Sequence, residues 1–392
     1  MPVSTSDIDI TESYPTIRPS INFNFARSRA LDPRISFTRA SVGTYVGRDG
    51  LIKTAGVDEP RFDHDPDTLE SLGLLIEEPR TNQLLYSDDF NNAAWFKQNG
   101  HGLTSNTTIS PDGTQNADTF NRGASDQYIY QSLGVTGLHT MSVYVKTPAG
   151  DGNKDFIMQH YNTTNGGLGV TTFTATEEWQ RFSIQASPTT SGGWYPCIPS
   201  DINQDMHVWG AQLESAAFPT SYIPTSGSTV TRSVDQAYIV GDNVPLGSGV
   251  DEYSFYVRGR LLDTANYGGI SRGLVGMGSS SSNRIRIPHN NQGDVEVYSG
   301  GTLVASLNTG DIGTTERQIA LAVKKDDFAM SMDGGTVQTD SSGNIPTFIN
   351  NITLGCSTYD PLPLNYPSTS YIKEFRIYPK RLTNAQLQLL TS

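Results

Sequence analysis

At 392 residues the chain exceeds one ordinary domain and predicts two or three. Charged residues make up only 17%, against roughly 25% in an average soluble protein, and a formal net charge of −13 argues against a nucleic-acid or anionic-membrane partner, because both need a basic footprint. Cys197 and Cys356 are too far apart for a disulfide framework and predict folding in a reducing compartment, Met1–Ile10 lacks a basic and apolar leader, and no run approaches the ~18 apolar residues of a membrane span.

Gly, Ser, Thr, Asn and Tyr replace the missing charge, and short alternating segments punctuated by Gly and Pro predict an all-β chain. Residues 1–36 are polar and proline-bearing, an N-terminal docking arm in which Ile21–Phe25 alternates like a short strand. Residues 37–86 read as a small β module with a turn at Arg48-Asp-Gly50. Within it Asp63-His64-Asp65 suits Asx-type turn capping better than metal, since further ligands have no source. Glu77-Glu78 beside Arg80 suits an ion pair better than acid/base work.

Residues 87–212 predict a jelly-roll sandwich. Met141, Val143 and Val145 alternate with polar residues, as do Phe182, Ile184 and Ala186. Met206, Val208 and Gly210 against His207, Trp209 and Ala211 give a closing strand. Tyr128 and Tyr130 flank Ile129 and so share one strand face. Residues 213–235 form an extended connector, because Pro219 and Pro224 forbid a helix or central strand. Phe218, Tyr222 and Ile223 are too apolar for a mobile linker and predict an ordered clamp between the sandwiches.

Residues 236–392 predict a second jelly-roll sandwich, with hairpin turns at Ser299-Gly-Gly301 and Asp333-Gly-Gly335. The chain ends in one short helix, where Thr383 and Gln386 make a capping box and Leu387 and Leu390 face the sheet.

Several of these stretches resemble a known family. Phe37-Thr-Arg-Ala-Ser41, Pro60–Pro66, Leu74–Glu78, Arg80-Thr-Asn82 and Leu85-Tyr-Ser87 resemble a module of tailed-bacteriophage structural proteins. Trp209–Glu214, Phe218–Thr225 and Thr231-Arg-Ser233 look like the exit of a carbohydrate-binding-module-like domain in such proteins. Ile372–Tyr378 with Arg381–Leu387 is similar to the ending of concanavalin A-like (laminin G-like) lectin/glucanase sandwiches. The resemblance implies a non-enzymatic virion protein: a tail fibre or appendage, or a capsid decoration. Such proteins are assembled in the host cytoplasm, are homo-oligomeric and often trimeric, and contact other virion proteins.

Catalysis has little support in the residues. No Glu is followed two residues later by Asp, and Asp294-Val-Glu296 lacks a third carboxylate. Cys197 lies between prolines and suits a packed position. Glycan binding fits better, since sugars stack on aromatic rings and hydrogen-bond to amides. Trp194 and Tyr195, beside Ser191-Gly-Gly193, predict an aromatic loop tip, with Tyr161, Asn162 and Asn165 as neighbours and a host-surface polysaccharide as ligand. Packing within a core or between protomers is the alternative for each ring. No cofactor is required; Asp112 and Asp118 are candidates for a structural calcium.

Overall fold

The computed structural model describes residues 17–28, 30–247, 249–262, 272–287, 294–308, 310, 313–346, 348–356 and 368–392. The described chain is almost entirely antiparallel strand, and its single α-helix among those residues is Asn384–Leu390. It divides into two compact units that interleave along the sequence. One is drawn from Met1–Ala40, Val57–Glu78 and Val234–Ser392 and is called here the C-terminal sandwich. The other, from Ser41–Gly56 and Pro79–Ser233, is the central sandwich. Residues 37–86 therefore do not stand as a module of their own: 37–40 and 57–78 go to the first unit, and 41–56 and 79–86 to the second.

In the C-terminal sandwich an eight-stranded and a seven-stranded sheet enclose one core. Tyr253, Phe255 and Val257 point into that core, while Ser254 and Tyr256 point out, as their alternation requires. Of the arm expected over 1–36, residues 1–16 and Arg29 lie outside the described residues. Part of the remainder packs on this chain's own sheet. Ile21–Asn24 adds to the eight-stranded sheet beside Ser370–Tyr378, with Ile21 opposite Ile377 and Phe23 opposite Phe375.

Buried charge ties this unit together. Arg61 reaches Glu77 at 2.6 Å and also Asp235, while Arg39 reaches Asp235 at 3.0 Å. All four side chains are shielded from solvent. Glu78 pairs with Arg272 at 3.0 Å. The ion pairing read from Glu77-Glu78 is present, with Arg61 and Arg272 as partners. Asp65 accepts the N–H groups of Asp67 and Thr68, the expected turn cap. Asp63 accepts the Tyr371 hydroxyl.

The terminal helix packs on the outer face of the eight-stranded sheet. Small Ala320, Ala322 and Ala329 leave room for Leu387 and Leu390, both buried there. Thr383 Oγ1 accepts the Gln386 N–H at 3.2 Å, and Gln386 Oε1 accepts the Thr383 N–H at 2.9 Å, so the capping box forms.

The central sandwich has two five-stranded sheets over a second core. Met141, Val143 and Val145 face inward in strand His139–Lys146. Its neighbour Asp205–Glu214 does not keep the simple alternation. Gly210 adopts φ +64° at a bulge, where Ser142 pairs with Gln212 but Tyr144 with Trp209. The extra residue shifts the pleat. Met206, Val208, Ala211 and Leu213 all face the core, and Trp209 faces out. Ala211 is therefore an inward residue, not the outward one expected.

Candidate functional site

One sheet of the central sandwich orders its strands as Gly166–Ala175, Lys154–Asn162, Gly192–Pro199, Tyr128–Leu133 and Phe96–Gln98. Its inner face supplies Ile129, Phe156, Met158, Trp194 and Cys197 to the core. Strand alternation then sends Tyr128, Tyr130 and Tyr195 to the outer face.

Those rings form a continuous aromatic band across the strands. Phe96 and Tyr130 lie opposite each other, with centroids 5.2 Å apart. Tyr130 and Tyr195 follow at 4.7 Å, and Tyr128 meets Tyr195 edge-on at 5.8 Å. Gln159 pairs with Tyr195 on the next strand and continues the row with an amide. Gly193 makes the close packing feasible. A Cβ there would lie 2.8 Å from both Tyr130 Cδ2 and Tyr195 Cε2. Exposure is uneven: Phe96 is 55% exposed and Tyr161 45%, whereas Tyr195 is only 7% exposed. Burial, with smaller effects from Tyr130, Tyr128 and Tyr161, pushes the Tyr195 phenol up to about 12, so it stays neutral and keeps its proton.

The nearest cations are committed elsewhere. The Arg122 guanidinium lies 5.4 Å from the Tyr128 ring, but its nitrogens donate to the carbonyls of Ala124, Ser125 and Pro199. The Lys97 ammonium donates to the carbonyls of Asn91, Asn92 and Trp95. The rings of the band are themselves uncharged and are edged by the Gln159 amide, with the Arg122 guanidinium against Tyr128, a surface suited to the C–H faces and hydroxyls of a sugar.

The residues singled out in the sequence fall differently from the expected loop tip. Trp194 and Tyr195 lie inside the middle strand of this sheet. Trp194 is fully buried in the core. Burying an aromatic ring of roughly 200 Å² favours this by on the order of 5 kcal/mol. Tyr195 and Tyr161 do border the band. Asn162 and Asn165 build the turn between two strands: Asn162 Oδ1 accepts the N–H groups of Thr164 and Asn165, and Asn165 Oδ1 accepts from Asn162 and Thr189. Phe96, Tyr130 and Gln159 were missed as site residues. The Tyr-Ile-Tyr pattern at 128–130 was the available signal.

The connector residues are engaged within the central sandwich. Tyr222 packs on Trp209 at 4.6 Å and shares a hydrogen bond with the Ser87 hydroxyl at 2.6 Å. Ile223 N–H donates to Gln212 Oε1, and its carbonyl accepts from Asn82. The Arg80 guanidinium sits 5.6 Å from the Phe218 ring.

Asp118 accepts the N–H groups of Phe90 and Asn106, and burial, with Asp89 and Asp88 nearby, pushes its pKa up to about 6. Asp112 accepts from the Ser110 hydroxyl and from the Thr114 N–H and hydroxyl. Among the described residues no group of three or more His, Cys, Asp or Glu is disposed to hold a metal ion. Cys197 is fully buried, and that burial drives its thiol well above the usual range, away from nucleophilic use. Glu296 faces Arg286 at 3.8 Å, and Asp294 accepts from Asn308.

No protein-family profile matches the sequence, and no curated protein does. Among solved structures the chain is similar to the CBM22-1 xylan-binding domain of Xyn10C from Paenibacillus barcinonensis, with 15% identity over 35% of this chain and 94% of that one and a TM-score of 0.28. It is similar to domain 4 of AbnA, a GH43 extracellular arabinanase from Geobacillus stearothermophilus, in complex with arabinotriose (16% identity, 45% of this chain, 84% of that one, TM-score 0.31). A third is the CBM40 of the Ruminococcus gnavus IT-sialidase bound to α2,3-sialyllactose (14% identity, 36% and 83% covered, TM-score 0.30). At these TM-scores the likenesses carry no argument about what this chain binds.

Proposed function

We propose that the central sandwich binds neutral glycan through the Phe96–Tyr130–Tyr195 band, and that the chain acts by binding rather than catalysis. The observation that carries the reading is the uncharged aromatic row crossing one sheet, with Phe96 and Tyr161 exposed at 55% and 45%. The ion pair and hydrogen bond engaging Glu296 and Asp294 favour the non-enzymatic reading. The phage-like wording of residues 37–87 and 209–233 supports a place on a tailed-phage virion, as a homotrimeric fibre or appendage that meets host polysaccharide. A purely structural virion subunit is the second reading, favoured by the deep packing of Tyr195.

A glycan array probed with the intact protein separates the two. Binding to neutral glycans, weakened at least tenfold in a Phe96→Ala/Tyr130→Ala double variant, is the expected result. Silence across the array supports the structural subunit. Binding confined to acidic glycans, or unchanged in the double variant, overturns the assignment to this band. Shortening of the polysaccharide during incubation would show catalysis, and sedimentation as a monomer at micromolar concentration would remove the trimer.

A further inference from the structure

The C-terminal sandwich holds a cavity of about 410 Å³ that no glycan-binding role explains. Leu31, Ile35, Phe37 and Phe62 form its apolar floor, and the acidic side chains of Asp58 and Glu59 stand at its rim. The floor residues all belong to the core or pack against it, so the cavity is a notch leading into the core.

Its place in the topology gives it meaning. Phe37 lies in Ser36–Thr38, the outermost strand of the seven-stranded sheet, and Phe62 lies in Arg61–His64, the outermost strand of the eight-stranded sheet. The cavity therefore marks a seam of the sandwich where both sheets end. On the opposite edge the gap is filled: Gly343 packs so closely on Val304 that a Cβ there would approach its Cβ to 2.8 Å. An edge strand beside an apolar notch is the arrangement that accepts an added extended peptide, with main-chain hydrogen bonds for affinity and a pocket for alternate side chains.

We infer that this seam receives an extended segment of another protein that places a large apolar side chain in the notch and a lysine or arginine beside Asp58 and Glu59. The charge at the rim selects the occupant. The chain's own residues 1–16 carry Asp7, Asp9 and Glu12 and no Lys or Arg, so their charge is wrong for this rim. A partner of opposite sign is attracted both by the rim and by the net −13 of the whole chain.

The test uses the full chain and fluorescence anisotropy with labelled acetyl-Lys-Leu-Lys-Leu-Lys-amide and its Glu-for-Lys counterpart. The expected result is saturable binding of the lysine peptide at least tenfold tighter than the glutamate peptide. Ala30→Phe, at an exposed lining position, fills the notch and should weaken binding at least tenfold with an unchanged melting temperature. Glu59→Lys should weaken the lysine peptide and narrow the difference between the two. Absence of saturable binding overturns the inference, as does binding indifferent to Ala30→Phe, which would mark mere adsorption to an acidic surface. Self-association of the chain that disappears in Ala30→Phe would assign the seam to a second copy and also overturn it.

Discussion

Removing the Arg61 guanidinium should be among the most damaging single changes in the C-terminal sandwich. Arg61 is 0% exposed and serves two carboxylates, Glu77 at 2.6 Å and Asp235. Burial alone would lower its pKa, but the charges of Asp235 and Glu77 outweigh this and hold it above the ordinary value. In Arg61→Met, Asp235 keeps Arg39 at 3.0 Å and the Glu77 N–H at 2.9 Å, whereas the Glu77 carboxylate loses the Arg61 contact at 2.6 Å inside the core. Breaking one side of a buried ion network costs ~3–5 kcal/mol. In a unit of about 220 residues, at ~2–4 °C per kcal/mol, the melting transition should drop by roughly 10 °C. Calorimetry of the full chain reads this directly. The loss should persist in molar salt, since screening acts mainly on exposed charges. Arg61→Met/Glu77→Leu removes both members of the 2.6 Å pair and should recover most of it. A single-variant loss under ~1 kcal/mol, or a double variant as unstable as the single, refutes the reasoning.

Gly193→Ala should leave the fold intact but displace Tyr130 and Tyr195, because the new Cβ would lie 2.8 Å from each ring; glycan affinity should fall at least tenfold by titration. Burial, with His139 nearby, lowers the pKa of His160, so the unfolded chain binds more protons below about pH 6.5 and stability falls as pH drops from there. Asp118, raised to about 6, acts in the opposite sense below that value. The readout is therefore the difference between wild type and His160→Leu in denaturant melts, which should move against wild type as pH falls from about 6.5 toward about 5.5; a pH-independent difference would show that His160 binds protons equally in the folded and unfolded chain and would refute the reasoning. Thr383→Ala breaks the capping box and should cost ~1 kcal/mol, read as faster amide exchange in Asn384–Leu390.

Local pattern carried much of the fold. The alternation of Tyr253 to Val257 and of Met141 to Val145, the Gly-Gly hairpin turn at 300–301 and the Thr383 cap all act over a few residues, and each appears in the structure. What the pattern did not reveal is non-local. Ile21 pairs with Ile377 across the length of the chain, and Arg61 meets Asp235. No local signal shows that residues 37–86 divide between two units. At the site, the error was one of burial. Trp194 and Tyr195 follow two glycines, which suggested a loop, but those glycines lie inside a strand where His160 and Tyr130 crowd them.

The connector of residues 213–235 packs on one sheet of the central sandwich, and the aromatic band lies on the other. The bulge at Gly210 turns Trp209 outward onto its sheet. Tyr222 from the connector and Ile52 from the hairpin of Gly43–Val46 and Ile52–Ala55 then cover it, leaving Trp209 at 1% and Tyr222 at 4% exposure. Asn82 locks that cover by donating to the carbonyls of Ala211 and Ile223 and accepting the Leu213 N–H. That cover therefore closes the middle of one outer face, around Trp209. The other sheet keeps Phe96 and Tyr161 in contact with solvent. The proposed glycan site lies on that sheet, so substitutions at Trp209 or Tyr222 should register as lost stability before they register as lost affinity.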